Sequence, residues 1–248
     1  MGTSVKIDPT SPDWFLPGFF AEDHRVDGFY GPARMIVIAP SGAGKSFAIT
    51  DLLLSYGKKL FMKLWLFSNN LDQKPYKLLE QRIYDNYYLP ISKLVEGFKF
   101  EDIFFKSDNP DDIPPLKDMD AEIRNFVIFD DFLGNRDVTI KAREYYVQGR
   151  HHNVTVCYLA QRYTATDIVI REQANYAVLF RTNMASDITL FHQKYAQEMS
   201  LDQFKRMFRN ATSEKYSFMT IDLTASDYGY EFKYRKKFDE PITPQFSD

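Results

Sequence analysis

Cysteine is all but missing from this chain of 248 residues, where Cys157 stands alone. One thiol cannot make a disulfide framework, so the fold must be held by its core, as suits a reducing compartment. Cys157 sits inside the apolar run Val154-Thr-Val-Cys-Tyr-Leu, where it reads as a small buried hydrophobe rather than a nucleophile. Long hydrophobic runs are also lacking. None approaches the ~18 residues of a membrane span, and nothing at the start has the pattern of a signal peptide. The sequons at Asn153-Val-Thr and Asn210-Ala-Thr are therefore read as accidental. Positive charge is not in excess: 31 Lys and Arg against 34 Asp and Glu give a formal net charge of −3. That excludes a general basic coat for nucleic acid and leaves only local patches. Of the four histidines, His151 and His152 are adjacent, so in a helix or strand they point apart and make a poor metal pair. Residues 101–120 are rich in acids (Glu101, Asp102, Asp108, Asp111, Asp112, Asp118, Asp120) but lack the ligand spacing and glycine of an EF-hand. A solvated loop is expected there.

Rings, by contrast, are plentiful, with 22 Phe and 16 Tyr, and a chain this long can bury about 70–75% of its unfolded surface. One large domain over residues 31–240 is expected. It is preceded over residues 1–30 by an extended arm in which Pro9, Pro12 and Pro17 oppose helix. A loose tail over residues 241–248 follows.

The chain is organised around Met35-Ile-Val-Ile-Ala-Pro-Ser-Gly-Ala-Gly-Lys-Ser46. An apolar strand runs into a loop of small residues, then Lys45 and Ser46, then Phe47-Ala-Ile-Thr-Asp-Leu-Leu-Leu at helical spacing. This fits G-x-x-x-x-G-K-[ST] with Ala39 in the first glycine position. Ala39, Pro40, Ser41, Gly42, Ala43, Gly44, Lys45, Ser46 and Phe47 form the expected ATP-binding segment. Gly42 and Gly44 let backbone N–H groups approach a polyphosphate, and the helix that follows adds its free N–H groups and dipole. Lys45 would reach the β- and γ-phosphates, and the Ser46 hydroxyl would ligate Mg²⁺.

A second apolar strand, Asn125-Phe-Val-Ile-Phe, ends in Asp130 and Asp131. At the C-terminal edge of a parallel sheet, Asp130 is placed to hold Mg²⁺ and Asp131 to polarise an attacking water. A third such run, Val154 to Ala160, ends in Gln161, whose amide would sense the γ-phosphate. Further strands are expected at Leu60–Phe67, Tyr176–Phe180, Tyr216–Asp222 and, as an edge strand, Tyr228–Arg235. Helices are expected over Tyr76–Tyr84, Val138–Val147, from Asp167, and over Ala185–Tyr195 and Leu201–Arg209. Strand–helix alternation means α/β with a mainly parallel sheet flanked by helices.

Taken together, a strand (Leu60 to Phe67) lying between the phosphate loop and the tandem acids, Asp131 placed to act on water, and Gln161 at the next strand end resemble the additional-strand, catalytic-acid class of P-loop NTPases. Most members carry Glu where this chain has Asp131. The runs GRHHNVTVCYLAQRY and DIVIREQANYAVLFR, with PARMIVIAPSGAGKS and NFVIFDD, resemble the FtsK–HerA superfamily. The likeness is greatest to poxvirus-type genome-packaging ATPases of double-stranded DNA viruses, across residues 32–182. It implies an enzyme that hydrolyses ATP with Mg²⁺ to drive double-stranded DNA into a preformed capsid. It further implies a homo-oligomeric ring on the order of five or six subunits, a capsid or packaging vertex as partner, and action in the host cytoplasm or a viral factory, with association to the virion. The family's trans-acting arginine maps to Arg150, with Arg162 as the alternative and Arg171 and Arg181 behind it. Lys and Arg from Lys141 to Arg181, and the run Tyr234-Arg-Lys-Lys-Phe, are candidate contacts to DNA backbone. Other readings are a helicase or DNA-pumping secretion ATPase, a small-molecule kinase, and a non-enzymatic ATP-binding scaffold. A kinase should carry an arginine-rich lid, and a scaffold need not retain Lys45, Ser46, Asp130, Asp131 and Gln161 together.

Overall fold

The apolar runs become the middle of a single sheet. The computed structural model describes residues 32–132, 134–225 and 233–244, with residues 56–59 described by their backbone alone. The expected arm over residues 1–30 lies outside the described residues. The strands are β1 (Arg34–Ile38), β2 (Lys63–Ser68), β3 (Phe104–Ser107), β4 (Asn125–Asp130), β5 (Val154–Ala160), β6 (Tyr176–Phe180), β7 (Phe218–Asp222), β8 (Tyr234–Lys236) and β9 (Glu240–Pro241). Their order is β3-β2-β4-β5-β1-β6-β7-β8-β9. The first six in that order are parallel, and the last three join antiparallel. The helices are α1 (Lys45–Leu60), α2 (Lys74–Ile83), α3 (Leu89–Ser92), α4 (Arg136–Gln148), α5 (Ile168–Gln173), α6 (Ala185–Tyr195) and α7 (Leu201–Ala211).

Central strands covered on both faces are near-continuously apolar: β6 is so throughout, and β1, β4 and β5 depart from it only at Arg34, at Asn125 and Asp130, and at Thr155. Alternation then decides the partner. Met35 and Val37 of β1 face the layer of Ile49, Leu52 and Leu53 from α1 and Leu79 and Ile83 from α2. Ile36 and Ile38 face the opposite layer, with Val138, Ala142 and Tyr145 from α4, Ile170 from α5 and Phe191 from α6. Helix starts follow local chemistry. The Asn135 side chain accepts from Val138 N at 3.1 Å, and Asp167 Oδ1 accepts from Val169 N at 3.0 Å. Ser200 and Gln203 close a reciprocal capping box before α7.

Several expectations need adjusting. Leu60 ends α1 and the strand begins at Lys63, because Leu60, Phe61 and Met62 are a buried connection that periodicity does not distinguish from strand. The segment 98–106 hides the edge strand β3, where Phe104 is buried and Lys106 reaches out to Glu80 at 2.7 Å. The acidic loop is solvated only in part. Ile113, Leu116 and Met119 pack under the sheet, and Lys141 Nζ and Tyr145 OH each donate to loop carbonyls at 2.7 Å. At the C-terminus, β8 is not the edge, since β9 pairs Pro241 with Arg235. The chain is therefore not loose at residue 241: Ile242 N donates to Tyr234 O at 2.7 Å. Residues 245–248 and the first part of the expected Tyr228–Arg235 strand lie outside the described residues.

Topology now sets up the site. The strand physically inserted between β1 and β4 is β5, not the Leu60–Phe67 run that precedes β4 in sequence. Register aligns Ile38 with Ala160, Leu159 with Asp130, and Asp130 with Ser68. The loops after β1, β5, β4 and β2 therefore meet at one sheet edge.

Candidate active site

The loop after β1 turns on a bond from Ala43 N to Pro40 O at 3.1 Å. Gly42 and Gly44 have φ of 74° and 100°, a region that suits glycine. A Cβ on Gly42 would meet nothing within 4 Å, so the loop leaves a hollow above its backbone. A cavity of about 1050 Å³ opens there, lined by Ser41, Gly42, Gly44, Lys45, Ser46 and Phe47, with Asp131 and Gln161 opposite. Ala39, Pro40 and Ala43 do not line it. Ala39 is buried under the loop, its N–H donating to Ala160 O at 3.0 Å.

Below the loop the side chains converge on Asp130. Lys45 Nζ lies 3.6 Å from Asp130 Oδ1. Ser46 Oγ is 3.4 Å from Asp130 Oδ2 and donates to Gln73 Oε1 at 3.0 Å. Tyr76 OH donates to Asp130 Oδ2 at 2.5 Å. Asp130 is fully buried. Burial raises its pKa above the usual carboxylate range, Lys45 and the Tyr76 bond oppose that, and Asp131 reinforces it. The same burial, beside Asp130, pushes the Tyr76 phenol well above its ordinary value. Asp130 Oδ1 is buried without a hydrogen bond among the described residues. An orphan carboxylate oxygen beside a hydroxyl fits Mg²⁺, which takes one or two protein oxygens and completes its shell with phosphates and water.

Asp131 sits beside this cluster at φ 62°. Asp and Asn are the non-glycine residues that best tolerate that region. Its carbonyl accepts from Asn69 Nδ2 at 2.6 Å, and its Oδ1 accepts from Gln161 Nε2 at 3.1 Å. The loop carrying Gln161 is pinned by buried Asp187 in the first turn of α6, which accepts from Tyr163 N and Thr164 N at 3.2 and 3.1 Å. The fold thus brings Lys45, Ser46, Asp130, Asp131 and Gln161 together.

The arginines fall elsewhere. Arg150 is exposed in a 3₁₀ turn, Gly149–His152, before β5. The rise of about 3.3 Å per strand residue over the seven residues of β5 sets it on the order of 20 Å from the phosphate loop of its own chain. Arg162 and Arg181 are exposed on the site edge. Arg171 lies over the Tyr163 ring at 5.1 Å, and Arg143 is paired with Asp167 at 2.5 Å. Much of the basic run 234–238 is engaged within the protein. Arg235 is buried against Asp222 at 2.9 Å, Lys236 bonds Glu214 at 2.6 Å, and Lys237 lines the nucleotide-sized cavity.

Sequence reading missed Asn69, Gln73, Tyr76 and Tyr216. The first three follow β2, whose C-terminal end aligns with that of β4. Inspecting the end of β2 would have found Asn69, whereas Gln73 and Tyr76 come to Asp130 only through the pairing of β2 with β4. Nothing local marks Tyr216.

Fold and site define a P-loop NTPase of the additional-strand class. The family model described as Poxvirus A32 protein matches residues 24–227, and the chain belongs to that family. Among solved structures it is similar to the genome packaging NTPase B204 from Sulfolobus turreted icosahedral virus 2 in complex with AMP. The TM-score is 0.53 at 13% identity, over 86% of this chain and 100% of that one. The DNA-packaging ATPase B204 from Sulfolobus Turreted Icosahedral Virus gives a TM-score of 0.51 at 14% identity, over 86% and 98%. These likenesses concern the fold. No curated protein matches the sequence.

Proposed function

We propose that this chain is an ATP-hydrolysing motor that drives double-stranded viral DNA into a preformed capsid. The observation that carries the reading is the convergence of Lys45, Ser46 and the Asp131–Gln161 pair on Asp130, in a chain of the A32 family. The B204 relatives are named as genome packaging NTPases, one bound to AMP and another to ATP-gammaS, which supports the same activity here.

In this reading the backbone N–H groups of residues 42–46 bind the polyphosphate, and Lys45 leaves Asp130 to neutralise the β- and γ-oxygens. Ser46 and Asp130 would hold Mg²⁺, which when bound supplies charge neutralisation on the phosphates. Asp131 Oδ1 takes the proton of the attacking water. Gln161 holds that carboxylate through its amide, and can trade that bond for the γ-phosphate, so the strand end of β5 reports nucleotide state. Arg150, too far from its own site, serves a neighbour's, which makes turnover depend on a ring. Ile140 and Val147 of α4 are about half exposed (50% and 47%) on the same stretch, an apolar surface suited to subunit contact. DNA contacts are to the backbone and lack sequence preference. The place of action is the infected cell where virions assemble, in the cytoplasm or a viral factory.

The test is steady-state ATP hydrolysis with and without long duplex DNA. Duplex-stimulated turnover that weakens as salt rises and disappears in Lys45→Ala is the expected result. Normal turnover in Lys45→Ala would overturn the site, and turnover indifferent to duplex would overturn the motor.

A further inference from the structure

The cavity is at the upper end of the ~300–1,000 Å³ usual for small-molecule sites. The phosphate loop accounts for only one end of it. The other end lies between Asp51 and Ser55 of α1 and a wall built from the C-terminal strands: Tyr216, Lys237 and Asp239. Tyr216 is unusual twice over. Its backbone is left-handed at φ 65°, and the residue is 58% exposed at the cavity mouth, where the flexible Lys215 side chain lies over the ring at 4.8 Å and must swing aside or leave the other face for a base. The ring lies against the phosphate loop, close enough that a Cβ on Gly44 would stand 3.2 Å from Tyr216 Cδ1. Two bonds onto Glu214 O, from Ser217 N at 3.2 Å and Ser217 Oγ at 2.7 Å, hold the turn that presents it. Across the cavity, burial and then Asp239 raise the Asp51 pKa, and Lys237 works the other way. That places two acceptors and a cation around one space.

We propose that the C-terminal strands complete the nucleotide site, with Tyr216 giving a purine base its flat apolar face and Asp51 and Asp239 accepting from hydroxyl or amino donors of the nucleoside. This rests on the ATP-binding reading above and deepens it. A base stacked on a tyrosine is held without regard to its edge, and the carboxylates favour donor-bearing edges and sugars over carbonyl-bearing ones. The strands added beyond the parallel sheet thereby acquire a role, since β7 and the β8–β9 turn carry the wall to within contact of the phosphate loop.

The experiment compares ATP with inorganic tripolyphosphate, each titrated calorimetrically with Mg²⁺ into the full chain. Tripolyphosphate meets the phosphate loop but has no nucleoside. Tyr216→Ala should weaken ATP about tenfold, in the range of aromatic–base stacking losses, and leave tripolyphosphate within about twofold. Tyr216→Phe should retain both, and Asp51→Ala, which removes the acceptor, should weaken ATP alone. Unchanged ATP affinity in Tyr216→Ala, or an equal loss of both ligands, overturns the proposal. Wild-type protein that binds neither ligand overturns the nucleotide reading beneath it, an outcome distinct from loss confined to the variants.

Discussion

Asp131→Asn separates the chemistry of Asp131 from its structural part. The residue holds φ 62°, a conformation that costs an ordinary L-residue about 1–2 kcal/mol but that Asn tolerates as Asp does. The bond from Asn69 goes to the backbone carbonyl at 2.6 Å and survives the change. The bond from Gln161 at 3.1 Å also survives, because an amide oxygen still accepts. It changes from charge-assisted to neutral, a loss within the ~0.5–1.5 kcal/mol of a typical bond. For a chain of this size that is at most about 2–4 °C in Tm per kcal/mol. What Asn lacks is a site for the proton of the attacking water. General-base catalysis contributes ~10²–10⁴, or about 2.7–5.4 kcal/mol of barrier. The variant should therefore melt close to wild type, bind ATP within about threefold, and lose at least about a hundredfold in phosphate release. Turnover within threefold of wild type would move the base elsewhere and refute the reasoning.

Three more expectations can be checked in parallel. Arg150→Ala and Asp131→Asn proteins, each inactive, should recover part of the activity when mixed, because some neighbouring pairs then hold both an intact base and an intact arginine. No recovery in mixed assemblies verified by size would remove Arg150 from the site. Arg235→Met should cost about 3–5 kcal/mol by leaving Asp222 charged and buried, with DNA affinity unchanged. The double variant Arg235→Met/Asp222→Leu should regain much of that in a denaturant melt, and no regain would show that more than the pair is lost. Acid should also weaken the link between the turn after α6 and the start of β8. Burial works to raise Glu198, but Lys233 at 2.6 Å and the Tyr234 hydroxyl hold it below the ordinary 4.5. A depressed folded-state pKa gives stability that is present above 4.5 and lost as pH falls through the lower folded value. The melting difference between wild type and Glu198→Gln should shrink over that acid window, and a constant difference would contradict it.

How much could be read beforehand depended on where the information lay. β5 and β6 appear in the sequence at their observed ends, because strands buried on both faces write near-continuous apolar runs, broken in β5 only by Thr155 and bounded by polar residues. That Lys45, Ser46, Asp130, Asp131 and Gln161 come close together could be expected for a related reason: Asp130 ends β4, Asp131 and Gln161 directly follow β4 and β5, and Lys45 and Ser46 open the helix after the β1 loop. β3 was not, because an edge strand exposes Lys106 and blurs the pattern. Tyr76 and Gln73 lie on and before α2, and only the pairing of β2 with β4 brings them to Asp130. Arg235 misled most, since a short basic run gives no hint that its first basic residue meets Asp222 on the neighbouring strand. Tyr216 reaches the phosphate loop only through the antiparallel pairing of β7 with β6, a long-range event with no local signature.

The central claim is that ATP hydrolysis moves the protein along duplex DNA, and displacement of a third strand from a triplex-bearing duplex tests it most directly. Displacement that requires ATP, fails with a non-hydrolysable analogue and fails with Lys45→Ala is the predicted result. Vigorous ATP hydrolysis on the same duplex, under conditions where the ring is assembled and the third strand stays in place, would contradict it.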